Sequence, residues 1–162
     1  MGPAGAVGAT GPMGPAGATG PANGLSAYGG LYSATPQTLT LAANTPMQIP
    51  LAAAMPLLNV SGTPANSLTI TSSGVYEIAY FASIDPAATG DITVSVRKNN
   101  TNLPEATLIR RLTGNEQAFF SDSVIVSLAV NDKIDMAVTS ARNGSITLGS
   151  GTNASLSVKK LN

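Results

Sequence analysis

The 162-residue chain carries eight Lys and Arg against eight Asp and Glu, so its formal net charge is zero, and only 10% of its residues are charged, against about a quarter in ordinary soluble proteins. With no Cys and no His, it has no means of forming disulfides, thiolate nucleophiles, the usual zinc sites or a histidine-based triad. A neutral chain has no long-range field to gather phosphates, which argues against a nucleic-acid partner, and no apolar run approaches the ~20 residues that span a bilayer.

The first element is a strict repeat. Glycine stands at Gly2, Gly5, Gly8, Gly11, Gly14, Gly17 and Gly20, giving seven unbroken Gly-X-Y triplets. Only glycine fits the crowded axis where three polyproline-II chains wind together, so this phase predicts a collagen-like triple helix. Pro3, Pro12, Pro15 and Pro21 all follow a glycine, where their fixed φ suits that helix. A flexible Gly/Ala/Pro linker shares the composition but gives no reason for the phase. The period fails at Asn23, with Gly24 one residue late, so the chain divides into a stalk, residues 1–22, and a head, residues 23–162. Seven triplets form few interchain hydrogen bonds to offset the ordering of three chains. The stalk is therefore expected to need a trimerising neighbour.

From Leu25 onward the chain reads as short β runs separated by Gly, Pro, Asn and Ser clusters. Strands are predicted over Ala27–Ser33, Gln37–Leu41, Met47–Leu51, Ser67–Thr71, Val75–Ile84, Ile92–Lys98, Ala106–Leu112, Phe119–Leu128, Lys133–Thr139, Ser145–Leu148 and Ala154–Leu161. Tyr76, Ile78, Tyr80, Ala82 and Ile84 alternate with Glu77, Ala79, Phe81 and Ser83. Ile92, Val94 and Val96, then Ile134, Met136 and Val138, repeat the pattern downstream. Period two implies one buried face per strand, hence two packed antiparallel sheets. About ten strands at this spacing predict an all-β sandwich or jelly roll.

Ser67–Ile84 reads SLTITSSGVYEIAYFASI, a strand, a Gly turn and then Gly-x-Tyr-x-Ile-x-Tyr; SLAVNDKIDMAVT follows later with an Asn-Asp turn between two strands. In this order, behind collagen triplets, the two segments resemble the complement/tumour-necrosis-factor jelly roll. With AYGGLYS at 27–33 and TLTL at 38–41, the chain is similar to the collagen-like exosporium glycoproteins of Bacillus and Clostridium spores. That resemblance implies a homotrimeric head, a hair-like filament and a location on the cell exterior, at the spore surface. It also implies an exosporium basal-layer or appendage partner, reached through an N-terminal anchoring segment with no counterpart in these residues. The family's collagen regions commonly carry O-glycosylated Gly-Pro-Thr triplets; here Gly-Ala-Thr makes Thr10 and Thr19 the candidate O-glycosylation sites.

No catalytic, cofactor or metal residue is assigned. Without His, a Ser or Thr nucleophile would need Lys or a carboxylate as base, and the eight acids are scattered. Asp132 and Asp135 read as turn and strand-face residues, with a cation site as the alternative. The basic pairs Arg97/Lys98, Arg110/Arg111 and Lys159/Lys160 read as solvated strand ends, with a patch for anionic sugars as the alternative. Sequons at Asn59, Asn99, Asn143 and Asn153 arise readily in a chain this rich in Asn, Ser and Thr. The four tyrosines read as core or trimer-contact residues. The expected function is structural: a head that nucleates and caps a collagen-like filament. A receptor-binding or glycan-binding adhesion module, with an exposed loop at Arg110–Gln117 meeting a host or matrix ligand, and a phage tail-fibre tip remain as alternatives.

Overall fold

The computed structural model describes residues 1–3, 5 and 24–161. Gly8, Gly11, Gly14, Gly17 and Gly20, together with Thr10 and Thr19, lie outside the described residues.

The described chain has thirteen strands and no helix: β1 (Tyr28–Ser33), β2 (Gln37–Leu41), β3 (Met47–Gln48), β4 (Ala53–Ala54), β5 (Val60–Ser61), β6 (Leu68–Ile70), β7 (Gly74–Pro86), β8 (Gly90–Lys98), β9 (Thr101–Leu112), β10 (Ala118–Leu128), β11 (Lys133–Ser140), β12 (Gly144–Leu148) and β13 (Ala154–Lys160). They form two antiparallel sheets. In the first, β7 takes β10 along one edge and β13 along the other; β13 passes to β1 and β1 to β4, while β12 joins the end of β7 and carries β2. In the second, the order is β5-β6-β11-β8-β9, with β3 also on β11. This is a jelly roll.

The alternation read from the sequence is the alternation of burial. Tyr76, Ile78, Tyr80, Ala82 and Ile84 point inward from β7, and Ile92, Val94, Val96, Ile134, Met136 and Val138 meet them from β8 and β11; all are buried. Phe120, Leu156 and Val158 extend the same layer, in register with Ala82, Tyr80 and Ile78. Each large apolar side chain removed from water contributes roughly 1.5–3 kcal/mol, so these facing rows are the main stabilising term. The turns follow local chemistry. Asn99 and Asn100 both have positive φ (53° and 67°), and Lys98 pairs with Thr101 across them; two left-handed residues match the twist of a two-residue hairpin.

Three boundaries differ from expectation. β9 begins at Thr101, not Ala106, and contains Pro104; it lies at a sheet edge, where a missing N–H disrupts no ladder. The Met47–Leu51 run is a strand only at Met47–Gln48, yet Ile49 and Leu51 are buried, so their apolar character reports burial rather than pairing. The two-residue strands β4 and β5 carry no period that a sequence could display.

Candidate functional site

Burial singles out the outer face of the first sheet. Across β1, β13, β7 and β10, the registers align three rows: Tyr32–Ser155–Phe81–Ser121, Gly30–Ser157–Ala79–Ser123 and Tyr28–Lys159–Glu77–Ile125. Ser83 and Phe119 continue the face above them. Half of these side chains are Gly, Ala or Ser, and apart from Glu77 and Lys159 the large ones are aromatic or apolar. Phe119 is 54% exposed and Ile125 66%; Phe81 stacks on Phe119 with ring centroids 6.1 Å apart. Strand alternation normally turns polar residues to water, and exposed apolar groups gathered on one flat sheet are the mark of a contact surface.

At the far side of this face lies a groove of about 350 Å³ lined by Leu25, Tyr28, Gly29, Gly30, Met55, Pro56, Ser157, Val158 and Lys159. Gly30 leaves room there: a Cβ at that position would come within 2.6 Å of the Met55 sulfur and 3.2 Å of the Leu156 carbonyl oxygen, so Met55 would have to shift. Met55 therefore lies across the strand where other residues would raise a side chain.

One charge cluster interrupts the face. Lys159 Nζ donates to Glu77 Oε2 at 3.1 Å, and Ser123 Oγ donates to Glu77 Oε1 at 2.9 Å. The lysine bond, then the serine bond, then the attraction of the ammonium hold the Glu77 carboxyl below its ordinary pKa.

The residues singled out in the sequence fall in different places. Asp132 is a turn residue, as expected: its carboxylate accepts from the Ala129 N–H and the Asn99 amide. Asp135 is the strand-face residue expected, whereas Arg97 corrects a solvated strand-end reading. Arg97 Nε and Nη2 each reach Asp135 at 2.7 Å, with side-chain exposures of 11% and 7%, and the Gln48 amide donates to the same carboxylate. Alternation assigned both to the outward face of the second sheet; the β3 region covers that face, which no local pattern foretells. Arg110 is exposed near the end of β9, as a solvated strand end should be. It donates to the Phe119 carbonyl oxygen at 2.7 Å and sits 5.8 Å from the Phe120 ring. The segment 110–117 is only partly loop: Gly114 donates to Thr89 Oγ1 and Asn115 to the Pro86 carbonyl, tying it to the turn before β8. Tyr76 and Tyr80 are core residues, and Tyr28 and Tyr32 belong to the outer face. The basic pairs are dispersed over β8 and β9 of the second sheet and β13 of the first. Among the described residues, no group of three or more acidic side chains is placed to hold a metal ion.

The BclA C-terminal domain family profile matches residues 31–162. The chain belongs to that family. It is the C-terminal domain type of collagen-like exosporium proteins, which are surface structural proteins. No curated protein matches the chain. Among solved structures, it is similar to the globular domain of zebrafish complement 1qA protein (11% identity, 84% of this chain and 98% of that one, TM-score 0.59). It is also similar to murine APRIL (13% identity, 83% and 98%, TM-score 0.58) and to PRD1 vertex protein P5 (14% identity, 86% and 100%, TM-score 0.57). At these identities the likeness is one of fold, a TNF/C1q-like jelly roll. Family and fold are those of structural or binding modules. The flat outer face was missed by sequence reasoning, although its signal, serine, glycine and alanine alternating with the core of β1, β7 and β13, stood in the pattern.

Proposed function

We propose that three copies of the head associate through the outer face of the first sheet and thereby hold three stalks together at the spore surface. The observation that carries this reading is that face: small side chains, exposed Phe119 and Ile125, and an apolar groove on one flat sheet. Its two apolar ends differ, Phe119 and Ile125 on β10 at one side and the groove beside β1 and β4 at the other. Unlike patches on one surface favour a head-to-tail contact that closes into a ring. The Gly-X-Y period, which asks for three chains, fixes the ring at three.

In this reading residues 1–22 are the stalk, with Gly2, Gly5, Gly8, Gly11, Gly14, Gly17 and Gly20 at the triple-helix axis, and residues 23–162 are the head. Docking of the heads raises the effective concentration of three stalk ends, and winding propagates toward the N-terminus. Thr10 and Thr19 are the positions offered to O-glycans. Family membership supports the spore filament over a phage tail-fibre tip. An adhesive role would fall to the open edge of β9, where Ile109 is 69% exposed beside Arg111, and glycan-array binding by the full chain tests it.

Light scattering on the full chain and on residues 23–162 tests the main reading. Both are expected to be trimers, with the isolated stalk peptide monomeric at room temperature. A monomeric head overturns the proposal.

A further inference from the structure

Resting on the trimer reading, a second conclusion concerns what the contact selects. Within the three rows of the outer face, Glu77 and Lys159 are the only charged side chains. They are already paired inside one head, at 3.1 Å, with Ser123 completing the carboxylate's bonding from a third strand. Their position makes them unavoidable. The row runs Tyr28–Lys159–Glu77–Ile125, so the pair lies between the apolar groove, of which Lys159 forms one wall, and the exposed Ile125. In a head-to-tail ring the two patches are covered by different neighbours, and these two copies close over the strip between the patches, where the pair lies. Side-chain exposures of 48% for Lys159 and 32% for Glu77 leave water to be removed from both.

We propose that Glu77 and Lys159 are the specificity-determining centre of the contact between heads: they enter it as a neutral unit, and a head lacking one of the two charges is excluded. Covering an intact, hydrogen-bonded ion pair costs far less than covering one ion whose partner has been removed. Ser123 strengthens the effect, because its hydroxyl satisfies the carboxylate oxygen that Lys159 leaves free. The groups facing Glu77 are Lys159 from β13, Ser123 from β10 and, beyond Lys159, Tyr28 from β1. Asp122, the next acid on β10, pairs in register with Tyr80 on the opposite face. Protonating Glu77 therefore leaves Lys159 uncompensated, and acid should loosen the assembly.

Sedimentation equilibrium of the full chain in a dilution series, with urea added equally to all samples where the trimer is too tight, reads the dissociation constant. E77Q and K159M are each expected to raise it at least tenfold, and the charge-exchanged E77K/K159E to return it to within threefold of the unaltered protein. Circular dichroism and thermal unfolding of each variant separate lost association from lost folding. Loss of association on acidification is expected in the unaltered chain and absent in the neutral E77Q/K159M. Single substitutions with a smaller effect, or an exchange that fails to recover association, overturn the inference while the trimer stands. An unaltered chain that sediments as monomer overturns the trimer reading itself.

Discussion

Arg97 and Asp135, on neighbouring strands of the second sheet, form a two-pronged ion pair at 2.7 Å that is almost wholly out of water. Gln48 donates to the same carboxylate and also to Ser67 Oγ. The pair thus anchors the long connection between β2 and β6 to the sheet. Removing one partner leaves a buried charge uncompensated, at a cost of roughly 3–5 kcal/mol. D135A or R97M is expected to lower unfolding free energy by about that much in urea titrations. The double substitution R97M/D135L should cost clearly less than the sum of the singles.

Tyr80 carries a buried hydroxyl with no hydrogen-bond partner among the described residues. Burial, with a smaller contribution from the Asp122 charge, pushes its phenol from 10.0 up to about 12. A raised folded-state value means that the neutral phenol's stabilising contribution is complete below pH ~10 and is lost as pH rises toward 12. Y80F is expected to leave stability at pH 7 unchanged or slightly higher, since it removes an unpaired polar atom, and to move the alkaline unfolding midpoint upward. Circular dichroism across pH 9–12.5 reads both.

Gly29 faces the interior of β1. An added Cβ would stand 2.7 Å from Leu57 Cδ2 and 3.0 Å from Val60 Cγ1. G29A is expected to cost roughly 1–3 kcal/mol through overpacking. G144A, where nothing lies within 4 Å, should stay within about 0.5 kcal/mol. Thermal unfolding of the two variants side by side makes the comparison; equal effects would contradict the packing argument.

Asn153 belongs to a sequon, but its side chain is 1% exposed and its amide donates to the Thr35 and Gly149 carbonyl oxygens at 3.0 and 2.7 Å. It pins the connection between β1 and β2 to the start of β13. N153A is expected to cost about 1–3 kcal/mol, the penalty for leaving buried partners unpaired. Mass spectrometry after exposure of the folded protein to a glycosylating extract should find Asn153 unmodified.

The fold of the head was legible because its main signal is local. Tyr76, Ile78, Tyr80, Ala82 and Ile84 announce a strand with one buried face without knowledge of any neighbour. Period two survives in sequence because each residue's environment repeats with the backbone. The same rule put Asp135 and Arg97 on the right face of their strands and left their burial unread, since alternation says which side a residue faces and nothing about what covers that side.

What the sequence alone determined is the class of protein: a neutral chain without Cys or His, a Gly-X-Y segment and alternating strands that must close as a sandwich. Only the tertiary structure decided which face is left flat and apolar, and that Glu77, Lys159 and Ser123 meet there. Those three residues are separated by 46 and 36 positions along the chain, and strand register brings them together. Register is set by the packing of the opposite, buried face, so the surface cluster is a consequence of core fit that no local pattern records.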